Sequence, residues 1–166
     1  MFQNCTKLTT APTLPATTLA ESCYSNMFWG CTSLTSAPVL PATTLVNYCY
    51  EFMFRNCTSL TNAPELPATT LKTNCYYYMF SGCTSLTTAP VLPATTLVNY
   101  CYQSMFNGCT KLNYIKAMFT TTPASTYTNN WLNGVAARGT FVKNAEATWD
   151  NANVVPSGWT VETATE

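Results

Sequence analysis

Apolar and polar positions along this chain recur at one fixed interval. Phe2, Phe28, Phe54, Phe80 and Phe106 lie 26 residues apart, and so do Cys5, Cys31, Cys57, Cys83 and Cys109. Four full units (1–26, 27–52, 53–78 and 79–104) are followed by a partial fifth beginning at Met105. Within the unit, 16 of the 26 positions hold the same residue in all four copies, and all of these are apolar, proline or threonine. The varying positions are mostly polar or mixed, as at Thr13, Val39, Glu65 and Val91. A stacked interior demands the same shape at every layer, whereas solvent does not. The pattern therefore predicts a solenoid whose units bury their apolar faces only against one another.

Each unit divides into three stretches. The segment 83–92, CTSLTTAPVL, reads as a short strand, with copies stacked in parallel about 4.8 Å apart. Pro-Ala-Thr-Thr follows as a turn: Pro93 ends the strand, and Thr95 or Thr96 suits a helix N-cap. Leu97, Cys101, Tyr102, Met105 and Phe106 then fall at the spacing of one face of a short helix. The next special position holds Asn4, Gly30, Asn56, Gly82 or Gly108. Both residue types tolerate the left-handed conformation, which predicts a helix stop. Pro12, Pro38, Pro64 and Pro90 interrupt the strand segment, where each removes a ladder hydrogen bond. Either the strand ends at the preceding alanine or a bulge resets its register, and the outward-facing strand side chains stay unassigned.

The pattern breaks after Leu112, which divides the chain into a solenoid over 1–119 and a capping module over 120–166. Residues 113–119 are expected to form the last parallel strand, and 120–127 a polar connection. Residues 128–132 begin like a capped short helix, stopped near Gly134 or Gly139. Residues 140–143 and 159–161 read as two paired strands, a β-hairpin within the cap. Trp131, Phe141, Trp149 and Trp159 are expected to cover the open end of the repeat core. The array opens on a unit boundary without a polar cap, which suggests removal of earlier sequence or a face left open for a partner.

Met-Phe-x-Gly/Asn-Cys-Thr-x-Leu recurs in all five copies. This pattern, with an irregular strand and a short helix leading into the next Met-Phe, resembles the leucine-rich repeats of BspA-like bacterial surface proteins. The likeness covers residues 1 to about 119. The tail is similar to the terminal module that follows such repeats in gut Bacteroides-type proteins. The resemblance implies an α/β fold, a right-handed leucine-rich-repeat solenoid with a parallel sheet, on an exported cell-surface protein. It also implies adhesion, since some family members bind host matrix proteins or other bacteria. The Ala-Pro-x-Leu-Pro stretch departs from the simpler aliphatic strand of many members. No residue-level binding motif carries over, and no signal peptide is visible in this chain.

Charge narrows the options further. Seven basic and seven acidic residues give a net charge of zero, and only 8% of residues are charged. Such a surface offers no basic footprint for nucleic acid or anionic membrane. No apolar run is long enough to insert in a bilayer. Histidine is absent and Asp150 is the only aspartate. Without histidine the abundant serines, threonines and cysteines lack the usual base. Glu21, Glu51, Glu65 and Glu146 are too scattered for paired-carboxylate chemistry. No enzymatic activity, catalytic residue, cofactor or metal is expected.

The nine cysteines form two columns, 5/31/57/83/109 and 23/49/75/101. Their alternating separations lack the clustered spacing of metal ligands. They serve as small buried apolar residues, or pair across the gap of eight (Cys23–Cys31, Cys49–Cys57, Cys75–Cys83, Cys101–Cys109) and leave Cys5 alone. Asn4 and Asn56 sit in glycosylation sequons that turn chemistry explains as well. The threonine columns cap turns or, in a flat lattice, order water. Trp29, Tyr48, Phe52, Tyr77, Tyr78 and Tyr100 occupy positions where other copies carry polar residues. They are the candidate binding residues, set against partial burial between neighbouring units. The expected function is adhesion or protein or glycan binding, with host matrix or other surface proteins as partners. The alternative is a structural spacer that self-associates end to end.

Overall fold

The computed structural model describes residues 1–150 and 154–165. Equivalent residues of successive units stack in columns, as the repeat demands. The Phe2, Phe28, Phe54, Phe80 and Phe106 rings follow one another at 5.7, 5.5, 5.6 and 5.6 Å between centroids, nearly parallel throughout. Tyr24, Tyr50, Tyr76 and Tyr102 form a second column at 5.8, 5.9 and 6.1 Å. Met53, Met79 and Met105, the leucines at 34, 60, 86 and 112, and the inner cysteines fill the space between. Each coil thus buries its apolar residues only because its neighbours exist.

The expected short helix does not form. Among the described residues the one α-helix is α1 (Ser125–Thr128), four residues long and without a side-chain cap. Residues 97–106 and their counterparts form a ribbon of successive turns. Every fourth residue of this ribbon is left-handed: Tyr48, Phe52 and Asn56 in one coil, with φ of 58°, 54° and 59°, and Tyr100, Ser104 and Gly108 in another. Each reversal ends a turn before a helix can propagate. The amides then alternate in their partners. Met53, Arg55 and Cys57 donate back within the ribbon to Tyr50, Phe52 and Phe54, at 3.1–3.2 Å. Tyr50, Phe52, Phe54 and Asn56 donate across to Cys75, Tyr77, Met79 and Ser81 of the next coil, at 2.7–3.1 Å. A four-residue turn repeat places apolar side chains at nearly the helical interval, which is why the sequence mimics a helix. The Asn/Gly position is left-handed as anticipated, but it is one of three such positions per coil and not a helix stop.

On the opposite side of the coil the prolines decide what forms. Units one to three pair through single parallel bridges, Thr10 with Ser36 and Ser36 with Asn62, and beyond the prolines Thr44 with Thr70. Between units four and five, Thr88 pairs with Tyr114 but Leu92 pairs with Ala117. Unit four therefore holds one residue more between its bridges, a bulge at Pro90–Val91. A regular strand appears where the proline is gone: β1 (Tyr114–Ala117).

β1 is not the last strand. β2 (Thr140–Lys143) pairs with it in parallel, and β3 (Thr160–Thr163) pairs in parallel with β2, in the order β1-β2-β3. The expected β-hairpin is thus overturned, since a hairpin is antiparallel. The chain between β2 and β3 is long enough to travel round and re-enter the sheet in the same direction. The ribbon ladder also runs on, with Phe106 and Gly108 donating to Trp131 and Asn133 at 2.9 and 2.8 Å. The end of the core is closed by aromatics. Phe119 stacks on Trp149 at 5.0 Å, and Phe141 meets Trp131 and Trp149 edge-on at 6.0 and 5.8 Å. Each of the three indole N–H groups at this end has a carbonyl: Trp131 donates to Val154, Trp149 to Phe119 and Trp159 to Ala136.

Candidate functional site

The ribbon exposes what the core does not need. Five of the six candidate residues lie together on it. Trp29 stacks on Phe52 at 6.0 Å, and Phe52 meets Tyr77 at 5.2 Å and Tyr78 at 5.4 Å. Tyr77 contacts Tyr78 at 4.6 Å and Tyr100 at 6.5 Å, both edge-on. Tyr100 is exposed and the others are half-buried. Tyr48 is half-buried on the same ribbon but is not joined to this network, because Asn74 occupies its unit position in the coil between it and Tyr100.

The residue that sequence reasoning missed is Arg55. Its guanidinium carbon lies over Trp29 at 5.1 Å, Tyr78 at 5.2 Å and Phe52 at 5.5 Å. The signal was available, since Arg55 stands at the same unit position as Trp29 and therefore stacks in its column. A cation over the faces of three rings is held by their quadrupoles. An acid lies nearby: Asn74 Nδ2 donates to Glu51 Oε1 at 3.5 Å. Burial pushes the Glu51 carboxyl up, against the hydrogen bonds of Asn74 and Ser25. Burial also pushes the Tyr77 hydroxyl up, aided by Tyr78 and Glu51 and opposed by Arg55.

Backbone conformation sets these aromatics apart. Tyr48, Phe52, Tyr78 and Tyr100 all have φ between 52° and 59°. A side-chain-bearing residue there costs roughly 1–2 kcal/mol, and bulky types are rare. The same unit positions elsewhere carry Ser22, Asn26, Asn74 and Ser104, smaller residues of which the two asparagines favour this conformation. Phe52, Tyr78 and Tyr100 thus combine left-handed backbone, partial exposure and membership of the cluster that contains Arg55.

A second apolar surface runs along the proline side. A groove of about 310 Å³ is lined by Pro64, Glu65, Pro67, Pro90, Val91 and Pro93, with a smaller one of about 200 Å³ at Pro12, Pro15, Pro38, Val39 and Pro41. Val39 is 78% exposed and Val91 50%.

The cysteines are all free thiols. Those of one column are hydrogen-bond donors as well as fillers. Cys31, Cys57, Cys83 and Cys109 donate to the carbonyls of Phe2, Phe28, Phe54 and Phe80 at 2.9–3.1 Å. Burial pushes Cys57, Cys101 and Cys109 up to about 12 and Cys49 up to about 11. Such thiols are not nucleophiles at neutral pH. Among the described residues no group of histidine, cysteine, aspartate or glutamate could hold a metal. Among those residues no helix is long and apolar enough to cross a membrane. Asn4 and Asn56 lie over Gly30 and Gly82 of the following coil, where a Cβ would collide with the amide oxygen.

Stacked coils with a parallel ladder and a stripe of surface aromatics define a solenoid repeat protein whose capability lies in its surface. Comparison with protein families places it further: residues 1–132 match the BspA type leucine-rich repeat region, in six copies, and the chain belongs to that family. No curated protein and no solved structure matches it. Repeats of this kind generally mediate protein interactions without catalysis, and proteins that carry the BspA type are typically surface-associated.

Proposed function

We propose that this chain is a non-enzymatic cell-surface repeat domain that mediates adhesion, with the aromatic ribbon as its contact face for a protein or glycan partner. One observation carries the reading: five partly exposed aromatics, three of them (Phe52, Tyr78 and Tyr100) at left-handed positions, gather in neighbouring coils around Arg55. Trp, Tyr and Arg are the residues that dominate binding energy at protein interfaces, and aromatic faces with nearby polar groups equally suit sugar rings. Residues 120–166 serve as the module that closes the array, and the coil takes the right-handed sense of parallel crossovers.

The test compares the wild-type chain with a triple variant, Trp29→Ser, Tyr78→Ser and Tyr100→Asn, on immobilised host matrix proteins and glycans. Each replacement is a residue that another copy already holds at that unit position. Binding is expected in the wild type and at least about tenfold weaker in the variant, about 1.4 kcal/mol. Equal binding by both proteins removes the aromatic face from the account. No binding by either favours the structural-spacer reading.

A further inference from the structure

The aromatic ribbon and the proline groove are ruled by the same coil. The prolines repeat once per unit, at 12 and 15, 38 and 41, 64 and 67, 90 and 93, and the grooves lie between units one and two and between units three and four. The ribbon aromatics advance from Trp29 through Phe52 and Tyr78 to Tyr100 across the same stack. A partner that places aromatics into both grooves needs side chains two coils apart, and a second copy of this chain, built on the same coil interval, has them.

We propose that the proline groove docks the aromatic ribbon of a second copy, side to side, and this rests on the ribbon being a contact face. The chemistry on the two faces is complementary. Proline offers no N–H, so an added strand cannot pair there; its ring instead presents a flat apolar surface that aromatic side chains recognise. Val39 and Val91 stand exposed between the prolines. Charge agrees as well: exposed Glu65 lines the larger groove, and Arg55 stands at the centre of the aromatic cluster. Zero net charge leaves no long-range repulsion between copies. Because the two surfaces differ, the contact is heterologous, leaves one of each free, and extends into open assemblies.

Sedimentation of the full chain from micromolar to millimolar concentration tests the proposal, with thermal melts to confirm that each variant is folded. The wild-type mass is expected to rise with concentration. Val39→Asp with Val91→Asp is expected to weaken association at least tenfold while leaving matrix-protein or glycan binding intact, because those residues are exposed and lie off the ribbon. Arg55→Glu and Glu65→Arg are each expected to weaken it, and the double exchange to recover most of the loss. A wild type that stays monomeric overturns the proposal, as does a groove variant that associates like the wild type. A double exchange no better than the single changes overturns it too. The binding assay on the same proteins judges the contact-face reading separately.

Discussion

The two sides of each coil solve one problem differently. On the ribbon side, alternate amides hydrogen-bond to the next coil in an almost unbroken ladder. On the proline side, units one to three touch through single bridges, and a regular sheet begins only at β1, where the proline is gone. The ribbon therefore holds the coils in register, whereas the strand side is free to carry prolines and exposed valines. A leucine-rich repeat need not be held by its sheet.

Alkali should break the ribbon side first and with the largest effect. Seven thiols, Cys31, Cys49, Cys57, Cys75, Cys83, Cys101 and Cys109, are raised above the ordinary value of 9.0, chiefly by burial. The unfolded chain loses these protons near pH 9 and the folded chain holds them, so their contribution is full below pH 9 and lost above it. Each group costs about 1.4 kcal/mol per pH unit in that range. Urea melts at rising pH should show a plateau to about pH 9 and then a steep fall; a flat profile to pH 11 would refute the buried thiol column.

Side-chain truncation should separate the two sides next. Phe80→Ala opens a cavity in the middle of its column and is expected to cost about 3–5 kcal/mol. Val91→Ala, at an exposed position, should cost no more than about 0.5 kcal/mol. Equal losses in urea melts would show that the proline side is as well packed as the ribbon.

Two glycines of one column sharpen the comparison. Both Gly82 and Gly108 have φ near 75°, but a Cβ at Gly82 meets the Asn56 amide whereas the nearest atoms to Gly108 are 3.8 Å away. Gly82→Ala should therefore cost more than the roughly 1–2 kcal/mol of strain expected for Gly108→Ala. Adding Asn56→Gly should return the excess. A small effect belongs to the aromatic face: Tyr78→Asn relieves left-handed strain while losing ring contacts, so stability should move by less than about 1 kcal/mol even as partner binding falls.

Much of this was legible in the repeat. Invariance across units identified the phenylalanine, methionine and cysteine columns, because a buried layer fixes shape. The ribbon aromatics were legible as variable positions that broke with polarity. The ribbon itself was not. Leu97, Cys101, Tyr102, Met105 and Phe106 have helical spacing, and the tyrosines and phenylalanine at left-handed positions, residue types that disfavour that conformation, conceal the turns. The same bias hid Arg55, whose role depends on which rings the stacking brings beneath it. At the C-terminus, residues 140–143 and 159–161 were visible as strands, the second forming over Thr160–Thr163, but their parallel sense depends on the path between them. The effect of Pro90 was undecided because both an early end and a bulge satisfy local rules; comparison with proline-free β1 selects the bulge there.

Backbone NMR over residues 48–57 tests the central claim most directly. The account predicts positive φ at Tyr48, Phe52 and Asn56, and cross-peaks from the Tyr50, Phe52 and Phe54 amides to residues 25 positions on: Cys75, Tyr77 and Met79. Negative φ throughout, with i to i+4 contacts along the segment, would mean a helix and would contradict it.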